Sequence, residues 1–148
     1  MPEREMVTSE VIKASPRRAW EVLTDLSSYP EWNPMIRWAE GDIREGARLR
    51  VRFHPRERKR GRTFHPRLRV VVPERELRWG GWPPLPGVFD FEHYWILEPE
   101  PEGGTLLRHG VLVRGLLAPL AMPVVERLSR VPFQAMNRAH RERAEAGG

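Results

Sequence analysis

Two histidines stand where they could do chemistry. His93 lies in Val88 to Leu97, where Phe89, Phe91, Trp95 and Leu97 share its face and Asp90, Glu92 and Tyr94 take the other. His109 lies in Thr105 to Val113 with Thr105, Leu107, Val111 and Val113, while Arg108 and Arg114 point the opposite way. This alternation is the period of a β-strand with one face inside. If the two strands form a hairpin that pairs Leu97 with Thr105, His93 and His109 face each other directly on the inner side. Such a patch in an apolar hollow can hydrogen-bond a ligand carbonyl or hydroxyl, and a neutral ring can act as a general base. The plainer alternative is a structural pair, bonded to each other, to a neighbour or to buried water.

Other chemistry is scarce. Cysteine is absent, which removes disulfides, thiolate ligands and thiol nucleophiles together. Zinc takes three or four protein donors, and no inward Asp, Glu or His completes a set around the two histidines, so neither a metal nor another cofactor is expected. The sequence has no nucleophile elbow, no phosphate-cradling glycine loop and no dinucleotide fingerprint.

Around the histidines the candidate lining is apolar. Phe91, Trp95 and Val111 share their faces. Trp79 and Trp82 flank Gly80-Gly81 and lead into Pro83-Pro84-Leu85-Pro86-Gly87, a stiff loop expected at the mouth of the sheet. Trp32, held between Pro30 and Pro34, is expected to dock inward, and Met122, Val125 and Met136 on the final helix are expected to face the same hollow. Trp32, Trp79, Trp82, Phe91, His93, Trp95, His109, Val111, Met122, Val125 and Met136 thus form the candidate ligand-binding set, with plain core as the alternative for each.

The net charge is +5 and the pI near 10.6, and basic proteins gather near polyanions. Of 25 basic residues all but Lys13 and Lys59 are arginine, beside 15 prolines, a bias expected of a GC-rich genome or a hot habitat. Arg56, Arg58, Lys59, Arg60, Arg62, Arg67 and Arg69 gather in one hairpin and strand with only Glu57 against them. Phe64 is the lone aromatic there, too few for the stacking that single-stranded nucleic acid needs, so nucleic acid is disfavoured. A solvated basic turn is the simple reading. The functional one is peripheral contact with an anionic membrane through Arg56, Arg58, Lys59, Arg60 and Arg62.

One domain must position these residues. A chain of 148 residues buries roughly 70% of its unfolded surface, enough for a single core. No run of eighteen apolar residues and no basic-then-apolar leader occurs, which reads as a soluble, cytoplasmic protein. Met6 to Ala14 reads as an edge strand. Ser15 caps and Pro16 opens a short helix that buries Ala19, Val22, Leu23 and Leu26. Ala47 to Phe53 alternates most cleanly, with Ala47, Leu49, Val51 and Phe53 against Arg48, Arg50 and Arg52. Strands follow at Phe64 to Val72, Arg75 to Gly80, Val88 to Leu97 and Thr105 to Val113. From Leu116 the period is helical, with Leu117, Leu120, Ala121, Val124, Val125, Leu128, Val131 and Met136 as the expected buried stripe, bent or interrupted at Pro123 and Pro132. A run of strands with small helices after the first and one long closing helix makes an α+β architecture.

Ala19-Trp20-Glu21-Val22-Leu23-Thr24-Asp25 followed by Tyr29-Pro30-Glu31-Trp32-Asn33-Pro34 resembles the START-like, polyketide-cyclase-like (SRPBCC) superfamily, related to the birch-pollen allergen. Glu92-His93-Tyr94-Trp95-Ile96-Leu97-Glu98-Pro99, Gly103-Gly104-Thr105-Leu106-Leu107-Arg108-His109 and Gly115-Leu116-Leu117-Ala118-Pro119-Leu120 extend the resemblance over nearly the whole chain. What it implies is the helix-grip fold: a curved antiparallel sheet of about seven strands wrapped around a long C-terminal helix, enclosing a deep cavity that relatives use for lipids, sterols, polyketides, plant hormones or aromatic substrates.

The expectation is a carrier or sensor for a small hydrophobic or amphipathic ligand of lipid, polyketide or aromatic type, rather than an enzyme. The alternative is a cyclase/dehydratase- or hydrolase-like enzyme using His93 or His109 as general base in the same cavity. A third reading is an interaction module acting through the arginine hairpin. A fold that hosts so many functions names neither the ligand nor the oligomeric state.

Overall fold

The computed structural model describes residues 2–53 and 61–147. The expected membrane-facing residues Arg56, Arg58, Lys59 and Arg60 therefore lie outside the described residues. The chain opens with strand β1 (Glu3–Ile12). The Arg18 N–H donates to the Ser15 hydroxyl at 3.2 Å and Pro16 opens α1 (Pro16–Thr24), which buries Ala19, Val22 and Leu23. A 3-10 turn at Leu26–Ser28 leads into the short α2 (Tyr29–Trp32). Asn33 then launches the next strand, its Oδ1 accepting from the backbone N–H groups of Met35 and Ile36 at 3.0 and 2.8 Å.

That strand, β2 (Ile36–Glu40), is not legible as a strand in the hydropathy pattern. It is short and bulged, so its period is broken. β3 (Arg50–Phe53), β4 (Arg62–Phe64), β5 (Arg67–Val72), β6 (Glu76–Gly80), β7 (Asp90–Pro99) and β8 (Thr105–Arg114) follow, and α3 (Ala118–Ala146) closes the chain. The expected single strand from Phe64 to Val72 is divided at Pro66, which has no N–H to give a ladder. The expected antiparallel sheet of about seven strands comes, among the described residues, as a five-stranded run ordered β1-β8-β7-β6-β5 and a three-stranded run ordered β2-β3-β4, joined by a bridge between Arg48 and Arg67, with every pairing antiparallel. β1 is an edge strand, as its mixed pattern predicts.

The hairpin of β7 and β8 keeps the expected faces with a different register. Pro99, not Leu97, pairs with Thr105, so Trp95 stands opposite His109 and His93 opposite Val111. β7 runs two residues further than its hydropathy suggests, and the hairpin closes through the Glu100 N–H donating to the Gly104 carbonyl at 2.8 Å. A slip of two preserves every face.

The stripe of α3 is the larger departure. Leu117, Leu120, Val124, Leu128 and Val131 are exposed, and the buried face runs through Ala118, Pro132, Phe133, Met136, Asn137, His140 and Ala144. Pro123 and Pro132 lie inside the helix without ending it. The helix lies against β1, β8 and α1, and its first half flanks an opening instead of covering the sheet. Apolar residues there face two ways.

On the outer face of the large sheet, Asp90 takes a two-pronged contact from Arg69 at 2.7 and 2.8 Å, while Glu92 accepts from Arg69 and Arg78, each at 3.1 Å. Burial alone would raise the Glu92 carboxyl, yet Arg69, Arg114 and Arg78 together hold it below the usual carboxylate range. This network ties β5, β6 and β7 from behind. Beside it the Tyr94 phenol closes on Gly110, whose missing Cβ would stand 2.5 Å from the phenol and 2.6 Å from the Met6 carbonyl. Gly110→Ala is expected to cost about 1–3 kcal/mol by displacing both Tyr94 and the β1 backbone at Met6, seen as a lower urea midpoint. An unchanged midpoint would mean that the ring and the neighbouring strand both yield freely.

Candidate functional site

Between the two sheets and the first half of α3 lies a cavity of about 890 Å³. The large sheet supplies Trp79, Phe91, His93 and Val111, the small sheet Ile36, Val51, Phe53 and Phe64, and the helix Ala121, Val125 and Phe133. Arg62, Val124, Arg127 and Leu128 line it and are also exposed, so they stand where it opens. Alternation explains the strand contributions: Phe91 and His93 are two apart in β7, with Phe89 in step just before it, and Val51 and Phe53 are two apart in β3. Phe89 meets Phe91 edge-on at 4.3 Å, and Phe53 meets Phe64 likewise at 6.3 Å.

Of the candidate set read from the sequence, Trp79, Trp82, Phe91, His93, Val111 and Val125 line this cavity. Trp82 packs edge-on against His65 at 5.0 Å. The other five do not line it. Trp32 sits on α2, against Tyr29 and His140 at the far end of α3, and donates to Ser28 Oγ at 3.1 Å. Trp95 and His109, paired across β7 and β8 one step along the same face from His93, are completely buried. Met136 is sealed in the core, and Met122 is packed against the core outside the lining. Sequence reasoning missed the small sheet's wall. The alternation of Ala47 to Phe53 was its signal, but not its partner across the hollow.

Polarity in the cavity wall centres on His93. Its Nε2 lies 2.6 Å from His109 Nε2. The ring planes differ by only 8° with centroids 4.8 Å apart, so the rings meet edge to edge in one plane through those nitrogens. Phe133 covers this plane from the helix side, parallel to His109 at 4.1 Å, and Trp95 covers it from the sheet, 4.1 Å from His93. His109 Nδ1 lies 2.7 Å from Asn137 Oδ1, the Asn137 amide donates to Thr8 Oγ1 at 2.8 Å, and the Thr8 hydroxyl donates to the His109 carbonyl at 2.8 Å. Four elements, β1, β7, β8 and α3, thus meet in one closed network. Neither Thr8 nor Asn137 was singled out from the sequence.

Burial between aromatic faces sets the electrostatics. It holds His93 well below the ordinary imidazole pKa, with His109 adding to the effect. It lowers His109 to about 3, only partly offset by the Asn137 hydrogen bond. Both rings are neutral at pH 7. Among the described residues no group of three or more His, Cys, Asp or Glu is arranged to hold a metal ion, and no helix is long and apolar enough to cross a membrane.

Comparison with known proteins agrees with this geometry. Over 98% of this chain and 99% of the other, the structure superimposes on Ara h 8.0201 with a TM-score of 0.70 at 14% identity. It matches the Zhui aromatase/cyclase from Streptomyces sp. R1128 over 99% of both chains, with a TM-score of 0.77 and 18% identity. A START superfamily protein from Mycobacterium smegmatis matches over 97% of this chain and 99% of its own, at a TM-score of 0.74 and 19% identity. At these identities the likeness establishes the helix-grip fold. No curated protein sequence matches. Residues 3–145 match the profile of one family, and with nearly the full length covered the chain belongs to the family described as polyketide cyclase / dehydrase and lipid transport.

Proposed function

We propose that residues 1–148 act as one ligand-holding domain, a carrier or sensor that encloses a small hydrophobic or amphipathic molecule. The observation that carries this reading is the cavity itself, about 890 Å³ with walls of Phe, Trp, Ile and Val side chains, within the range of pockets that enclose small molecules. Burial of apolar area at about 25 cal/mol per Å² supplies the affinity. Arg62 and Arg127 at the opening suit a ligand whose polar end stays near water.

The test combines native mass spectrometry of the purified protein, to find a co-purifying adduct, with titration of the fluorescent probe 8-anilinonaphthalene-1-sulfonate. One probe per chain is expected. Val125→Trp fills the cavity from α3 and is expected to weaken the probe at least tenfold, with thermal unfolding close to that of the parent. Equal binding by both proteins would place the probe elsewhere and remove the reading.

A second reading, a cyclase/dehydratase-like enzyme, draws on the neutral ring of His93 in the cavity wall. His93→Gln tests this reading by turnover, because an enzyme that uses this ring as its base loses turnover while still binding, and turnover left intact removes the reading.

A further inference from the structure

The hydrogen bonds around His93 have a single direction. The His109 carbonyl can only accept, and it takes the one proton of the Thr8 hydroxyl at 2.8 Å. Thr8 can then only accept from Asn137, so the amide nitrogen faces it at 2.8 Å. Asn137 Oδ1 is left facing His109 Nδ1 at 2.7 Å, which puts a proton on that nitrogen. A neutral imidazole has one N–H, so His109 Nε2 is an acceptor. His93 Nε2, 2.6 Å away, must be the donor. Neutral His93 keeps no second proton, and its Nδ1 is a bare lone pair. Among the described residues the buried side-chain nitrogens without a partner belong to Asn33, Trp95 and His140. His93 Nδ1 is not among them and makes no hydrogen bond within the described residues, and the His93 ring is part of the cavity wall.

We propose that His93 offers the cavity an acceptor and no donor, and that the site therefore selects ligands carrying a hydroxyl or phenol over isosteric ligands offering only a carbonyl or ether oxygen. A carbonyl or ether oxygen against Nδ1 sets two acceptors face to face, and both lose their water without a replacement. His93 is the specificity-determining residue. Thr8, Asn137 and His109 are positioning residues that fix its tautomer. The proposal rests on the cavity being a ligand site, as read above.

The experiment titrates 2-naphthol, 2-methoxynaphthalene and 2-methylnaphthalene into the protein by calorimetry. 2-Naphthol is expected to bind about tenfold tighter than the methoxy compound. In Asn137→Leu the tautomers are released, and that preference is expected to fall to about twofold or less while the affinity for 2-methylnaphthalene holds. Nitrogen-15 spectra of the histidine rings in the parent protein give a readout that needs no variant, with the His93 proton expected on Nε2. Three equal affinities would overturn the donor preference and leave the ligand site standing. Failure of all three to bind would remove the ligand site and the preference with it. A proton on His93 Nδ1 overturns the proposal whatever binds.

Discussion

Trp95→Ala is expected to lose about 3–5 kcal/mol of folding free energy. The indole is wholly buried, packed edge-on against Trp79 at 4.7 Å and against the ring of His93 at 4.1 Å. Truncation leaves a void next to two neutral imidazoles. Since domains of this size are stable by only about 5–15 kcal/mol, the variant is expected to be marginal at room temperature. Trp95→Phe keeps most of the volume and removes an indole N–H that has no partner among the described residues, so its cost is expected to stay within about 1 kcal/mol. Urea unfolding followed by far-ultraviolet circular dichroism checks both. A stable Trp95→Ala protein that has lost probe binding would instead place Trp95 in contact with ligand.

Acid is expected to unfold the protein at a pH where ordinary carboxylate pairs still hold. His140 is buried, donates Nε2–H to the Ala19 carbonyl at 2.8 Å and has its pKa lowered to about 4, while His109 is lowered to about 3. In the unfolded chain both titrate near 6.5. Between about pH 6.5 and their folded values the unfolded state binds more protons, so stability is full above pH 6.5 and falls as the pH drops. At pH 4.5 the two together remove on the order of 5 kcal/mol, with His93 shifted in the same direction. His140→Gln is expected to flatten the slope by about one proton. Equal urea midpoints at pH 7 and pH 5 would show that the rings are protonated within the fold.

The faces of β7 and β8 were legible because alternation survives any even slip. The register was not, because hydropathy fades at Pro99 while the ladder continues to it. α1 was legible through its Ser15-Pro16 start, where the cap is local chemistry. The buried face of α3 was misread because a helix beside an open cavity carries apolar residues on more than one side, and the longer stripe through Leu120, Val124 and Leu128 is the wetter one. Phe133, Met136, Asn137, His140 and Ala144 keep the three-and-four spacing of a buried stripe, but its two polar members mask it. Thr8 and Asn137 had no signal as site residues, since a polar residue in an amphipathic segment ordinarily points to water. Only the fold brings them together.

The network joining β1, β7, β8 and α3 divides the cavity into parts under unequal constraint. His109, Thr8 and Asn137 cannot be exchanged singly without stranding a buried donor or acceptor in a partner, so that side of the pocket is expected to resist mutation. The small sheet's side chains, Val51, Phe53 and Phe64, and the helix positions Ala121 and Val125 make none of these hydrogen bonds. Their size can drift, or be redesigned, while the histidine pair stays seated. A library confined to those positions would vary the length and girth of the molecule accommodated while keeping one fixed polar anchor.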